Sequence, residues 1–228
     1  GPARLVLGGA SVLVLATMSW LAAPGQGINP SMPPGQTVST GIYACAVGFW
    51  TLVVPVWLRY RWQLVHPAIG LLVGLVVIAP TWLALVQLRE LSAIALLAVM
   101  AVVWVADIAA YFSGKAFGRH KLAPAISPGK TWEGAAGAGI GVLLYGAILH
   151  YGFTLRLDWL TWGLALVLIT AVSIVGDLFE SLLKRQVGLK DSSNILPGHG
   201  GVLDRIDSLT STLPTVALLW LVLGGQSS

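Results

Sequence analysis

Long apolar runs alternate with short polar ones along nearly the whole chain. Seven runs are long enough to cross a bilayer: roughly 4–22, 38–58, 67–88, 91–114, 132–152, 158–183 and 206–224. A helix of about 20 apolar residues matches the hydrocarbon thickness of a membrane, so each run predicts a spanning helix. The third and fourth are separated only by the residues around Arg89, which demands a tight turn. The piece "APGQGINPSMPPGQ" (Ala23–Gln36) reads as a loop from its proline and glycine content. No internal repeat of the kind that builds inverted-repeat transporters is visible. The expected fold class is therefore all-α, a polytopic integral membrane protein of about seven transmembrane helices.

Composition strengthens that reading. Of 228 residues, 56% are hydrophobic and only 10% charged, with a mean hydropathy of +0.83. A soluble domain carries about a quarter charged residues. The net charge of +4 forms no long basic run, so no nucleic-acid partner is expected. The single cysteine, Cys45, excludes an intramolecular disulfide and a cysteine metal cluster, and in its apolar setting it reads as inert packing.

With alternating spans, Arg4, Arg59, Arg61, Lys115, Arg119, Lys121, Lys130, Lys184, Arg185, Lys190 and Arg205 fall on one side, and only Arg89 and Arg156 on the other. The positive-inside rule makes the first side cytoplasmic. Acids share the bias, for only Glu90 and Asp158 map outside. The rule does not require that, so the cytoplasmic face uses both signs of charge.

Two segments on that face carry the candidate chemistry, "WVADIAAYFSGKAFGRHKLAPAISPGKTWEG" (Trp104–Gly134) and the stretch from Val175 to Ser208. Asp177, Ser181 and Lys184 are spaced by four and three residues and share a helical face, and Asp204, Asp207 and Ser208 do the same at the start of the next helix. A carboxylate at mid-membrane costs about 2.5–3.5 kcal/mol, so Asp177 needs water, a cation or a basic partner. Asp177 and Asp204 facing across a cleft would make an oxygen site for a hard cation such as Mg²⁺. Lys184, Arg185, Lys190 and Arg205 suit phosphate oxygens.

Plainer readings stand beside these. Lys184 and Arg185 also fit topological anchors, Lys184 is within reach of a structural pair with Asp177, and Asp207 fits a partner for the last helix's dipole. His199 sits between glycines as a loop residue would. Gly200 and Gly201 either supply a turn or let backbone approach a phosphate. His66, His120 and His150 are scattered without metal-ligand spacing. "GAAGAGIG" (Gly134–Gly141) reads as helix packing. "PAISPGKT" (Pro124–Thr131) ends like a phosphate-binding loop, but Pro124 replaces its first glycine and a spanning helix follows. Gly137 and Gly139 lack the third glycine of a dinucleotide fingerprint.

The segment "SLLKRQVGLKDSSNILPGHGGVLDRID" (Ser181–Asp207) resembles the signature of the phosphatidate cytidylyltransferases, with Ser, Lys-Arg, Lys-Asp, Pro, His-Gly-Gly and Asp-Arg-x-Asp in order. "ADIAAYFSGKAFGRHKLAPAISPGKTWEG" (Ala106–Gly134) resembles the family's preceding cytoplasmic segment. The resemblance implies a membrane nucleotidyltransferase that joins CTP and phosphatidate into CDP-diacylglycerol and releases pyrophosphate. It implies a cation site on Asp177 and Asp204 for Mg²⁺, with K⁺ as a candidate companion beside it. Catalytic work is expected of Asp177, Asp204, Lys184 and Ser181. Substrate binding is expected of Lys130, Arg185, Lys190, Asp191, His199, Gly200, Gly201, Arg205, Asp207 and Asp107.

Three N-terminal spans (1–90) would then precede a catalytic region (91–228) whose cytoplasmic segments are 104–134 and 175–208. The expected setting is a bacterial cytoplasmic (inner) membrane, with the bilayer as partner and a homodimer as a candidate assembly. Bacterial members begin with further hydrophobic segments and a basic start, so this chain, opening at "GPARLVLGG", is expected to be shortened at its N-terminus. Rival functions are an ion-coupled transporter, suggested by Asp107 and Asp177 in or near spans, and a CTP-dependent lipid kinase.

Overall fold

The computed structural model describes residues 34–152, 157–189, 192 and 203–224. Among them six helical rods are long and apolar enough to cross a membrane. The first expected span, 4–22, lies outside the described residues. The first rod comprises α1 (Pro34–Gly48), a π-helical turn (Phe49–Val53) and α2 (Val54–Tyr60). The remaining rods are α3 (Pro67–Leu91), α4 (Ala93–Phe117), α5 (Trp132–Gly152), α6 (Trp159–Gln186) and α7 (Leu203–Gly224). Between α4 and α5 the chain makes an antiparallel hairpin, β1 (Lys121–Ala123) and β2 (Ser127–Thr131), with Lys121 opposite Thr131 and Ala123 opposite Ser127. The phosphate-loop-like stretch thus forms part of a hairpin.

Local chemistry explains the boundaries. The π-helical turn ends two residues before Pro55, which has no N–H to continue the α-helical ladder. Ser92 is extended, and its hydroxyl accepts from the N–H of Ala95 at 3.3 Å, so one residue both ends α3 and caps α4. That is the tight turn the sequence demanded. At the end of α6, Gly188 is left-handed (φ 69°), Gly188 N–H donates to Arg185 O and Leu189 N–H to Lys184 O. This pair of bonds closes the helix as a Schellman motif, a conformation glycine adopts without strain.

Burial follows the membrane pattern. Leu52, Leu144, Ile148 and Leu160 are about two-thirds exposed or more on the outer faces, while Ser208, Thr210, Ser211, Thr212 and Thr215 of α7 are buried. In lipid, apolar surface may face outward at no cost, whereas polar groups must find partners inside. Pro214 cannot donate to the carbonyl of Thr210, one turn back, and the Thr81 hydroxyl of α3 donates to that carbonyl at 2.9 Å instead. Ser211 donates to Val172 O at 3.0 Å and faces Gly176, where an added Cβ would lie 2.3 Å from its oxygen. Small residues bring α6 and α7 together there. Three glycines of the Gly134–Gly141 run pack α5 on α4, as expected: a Cβ at Gly134 would meet Ala110 O, one at Gly137 Ser113 and one at Gly141 Ala109, while Gly139 faces open space.

Cys45 departs from expectation. It lies on the exposed face of α1 rather than in the packed interior.

Candidate functional site

The polar site is built on the last turns of α6. At 3.6 residues per turn, Asp177, Glu180, Ser181 and Lys184 occupy one face, while Leu178, Phe179 and Leu182 turn away from it. The apolar three are buried with Trp50, Trp57 and Ile126. Phe179 packs edge-on against Phe49, Trp50 and Trp57, with ring centroids 5.4–5.9 Å apart. This aromatic cluster fixes the roll of α6 and so the direction in which Asp177 points. The adjoining loop is tied down as well: the Gln186 amide donates to Trp62 O at 2.7 Å and accepts from Leu64 N–H at 3.2 Å.

Lys130 of β2 forms an ion pair with Asp177 Oδ2, and Ser181 Oγ donates to Asp177 Oδ1 at 3.4 Å. Both partners in the ion pair are about one-quarter exposed, which places it in a cleft rather than in the core. Lys184 Nζ lies 2.7 Å from Glu180 Oε2, one turn back on α6. The structural partner of Asp177 is therefore Lys130, from another element. Asp107, well inside α4, has Asp177 and Lys130 as its charged neighbours, and Asp207, in the second turn of α7, has Asp177, Glu180 and Asp107. Among the described residues four elements thus converge, and four carboxylates face two ammonium groups. Such an excess of negative charge in a low-dielectric setting favours a cation.

Of the expected residues, Asp107, Lys130, Asp177, Ser181, Lys184 and Asp207 are brought together. Arg185 is exposed at the end of α6, its guanidinium 3.5 Å from Leu189 O. Asp204 and Arg205 lie in the first turn of α7, but their side chains are outside the described residues. Lys190, Asp191, His199, Gly200 and Gly201 are outside them too.

The sequence reading passed over Glu180, a buried carboxylate on the site's face. Its signal was present, since it stands three residues after Asp177 and four before Lys184. Glu133, in the first turn of α5, was also passed over.

The donor chemistry suits Mg²⁺, a hard ion that takes one or two carboxylates and completes its shell with water and phosphate oxygens. Among the described residues no group of three or more carboxylate, imidazole or thiol side chains is disposed to hold a metal.

Residues 10–223 match the model of the cytidylyltransferase family. A phosphatidate cytidylyltransferase of Pseudomonas aeruginosa is 46% identical over 218 residues, which is 92% of this chain and 69% of that relative. Enzymes of the same name from Haemophilus influenzae and Bacillus subtilis are 52% and 43% identical over 123 and 118 residues. Those matches span about half of this chain, and 43% and 44% of the relatives' own lengths. The family match takes in the hairpin and every helix that contributes a carboxylate to the cleft, and on that footing the chain belongs to the cytidylyltransferase family.

Proposed function

We propose that this membrane nucleotidyltransferase transfers the cytidylyl group of CTP to phosphatidate, giving CDP-diacylglycerol and pyrophosphate, at the cleft around Asp177 and Lys130. The observation that carries the reading is the convergence of Lys130 and Asp177 from separate elements of a membrane-embedded bundle. In this reading Lys130 is the phosphate-binding cation and Asp177 the metal-binding carboxylate, and the partial exposure of both supports access for substrate. The names of the relatives support the choice of substrates.

In the reaction a phosphate oxygen of phosphatidate bonds to the α-phosphorus of CTP, and the bond from that phosphorus to the bridging oxygen of pyrophosphate breaks. Little covalent chemistry is asked of the protein, whose task is alignment and charge compensation. Asp177, with Asp204, would hold Mg²⁺, which when bound neutralises phosphate charge. Lys130 exchanges its carboxylate partner for a phosphate oxygen as substrate enters. Lys184, held by Glu180, supplies a second ammonium on the same helical face. Ser181 steadies the Asp177 carboxylate through its hydroxyl. We place the cleft on the cytoplasmic side of a bacterial inner membrane, on the strength of the basic-residue asymmetry.

The test is product analysis with purified protein, phosphatidate and labelled CTP. Label from cytidine or from the α-phosphate should enter the lipid. Label from the γ-phosphate entering instead would mark a lipid kinase and overturn the reading.

A further inference from the structure

The hairpin that carries Lys130 is held at its root by one carboxylate. Glu133 Oε2 accepts from the N–H of Arg119 at 3.1 Å and of His120 at 3.2 Å, and Oε1 lies 2.6 Å from His120 Nδ1. Beside it, Trp132 N–H donates to His120 O at 3.0 Å. Thr131 is buried, and its hydroxyl accepts from Gly134 N–H at 3.1 Å, capping α5. The strand enters past Gly118, where a Cβ would lie 2.2 Å from Gly114 O and 2.9 Å from the Thr131 methyl. Segments 118–120 and 131–133 are thereby locked together, and Lys130 is the next residue along. Toward the tip, Ile126 is buried among Leu178, Phe179 and Leu182 of α6.

We propose that Glu133 is a positioning residue for Lys130. By fixing the hairpin root it sets where the lysine ammonium lies relative to Asp177. The stem of lysine is four flexible carbons, so the ammonium's position depends on how firmly its backbone is held. A misplacement of about 1 Å at a reacting centre can cost on the order of 10²-fold in rate. Isolated N-terminal stabilisation of α5 would not require the carboxylate to reach the chain leaving α4. The kinetic consequence rests on the function proposed above, but the placement of Lys130 does not.

Glu133→Gln tests the idea, because the amide loses the charge and replaces one acceptor with a donor. In folded, purified protein, amine-reactive labelling of Lys130, read by mass spectrometry, should rise several-fold while that of the exposed Lys115 stays constant. The variant's kcat/KM should fall about ten-fold, equivalent to 1.4 kcal/mol. In a Lys130→Met background the same change should lower the residual rate less than two-fold, since the two residues act as one unit.

Unchanged Lys130 labelling, or an equal fold loss in both backgrounds, would overturn the proposal. If Lys130→Met has no measurable rate, the labelling result decides alone. Raised labelling with unchanged turnover would uphold the positioning of Lys130 and remove Lys130 from the reaction instead. Should Glu133→Gln not fold, His120→Ala carries the test, with a smaller rise in Lys130 labelling expected and no rise counting against the proposal.

Discussion

At one end of the bundle, where α6 finishes and α7 begins, carboxylates face one another and the lysines of other turns and strands. At the opposite end, where α3 meets α4 and α6 begins, Ser92 and Asp158 serve the backbone. Ser92 caps α4, and Asp158 caps α6 by accepting from Thr161 N–H at 2.9 Å. His150 lies against the Trp159 ring with centroids 4.0 Å apart. Asp158 and Asp177 are the same residue type on the same helix, yet one closes an orphan N–H while the other meets a cation from a distant strand. The residue type alone does not mark a site. A carboxylate aimed at other side chains from inside a membrane span does, because its desolvation must be offset by something other than its own helix.

The comparison breaks outright if the two ends share one face of the membrane. In a Cys45→Ser background, cysteines at Lys121 and at Asp158 should label from opposite sides, the first from the cytoplasm. Labelling of both from the same side would undo the topology. The next largest effect should come from the charge at the hairpin end. Asp177→Asn removes the charged partner of Lys130 and the carboxylate proposed above to hold Mg²⁺, so turnover should fall on the order of 10²–10³-fold, as when a preorganised charge-stabilising group is lost. The protein should remain folded. A normal rate with normal Mg²⁺ dependence would take Asp177 out of the site.

These outcomes bear on how much could be read from the chain alone. The expected span 132–152 coincides with α5, and the other expected spans that lie among the described residues fall within a few residues of their helices, because hydrophobic length is a local property. The Asp177–Ser181–Lys184 face was legible for the same reason. The hairpin was not, since strands of three and five residues around two prolines leave no periodic trace. The pairing of Lys130 with Asp177 was equally hidden, being decided by how the hairpin packs on α6. Cys45 shows another limit. Helix faces that meet lipid and helix faces that meet protein are both apolar, so composition does not tell them apart.

Lys184 sharpens the comparison within the active end. It sits 2.7 Å from Glu180, and the pair is largely buried. A topological anchor would matter for insertion and yield, whereas a phosphate ligand matters for rate. Lys184→Gln should lower kcat/KM about ten-fold, given that a charged hydrogen bond contributes about 1.5–3 kcal/mol. A wild-type kcat/KM in detergent, normalised to folded protein, would leave Lys184 an anchor.

The smallest effect belongs to the opposite end. Asp158 is exposed, and hydrogen bonds from Thr161 hold its carboxyl below the usual carboxylate range. A pKa lowered by folding contributes stability that is fully present above the unfolded value and is lost as pH falls through the folded one. Asp158→Ala should therefore leave turnover with CTP and phosphatidate unchanged and reduce the melting temperature slightly at neutral pH. The charge-dependent part of that difference should shrink only on acidification below the ordinary carboxylate range. The alanine also leaves the Thr161 N–H without its cap, so a residual difference persists after the charge is gone. If Asp158→Ala lowered turnover as Asp177→Asn does, the functional division between the two ends would fail, because a cap far from the cleft would then be governing the chemistry within it.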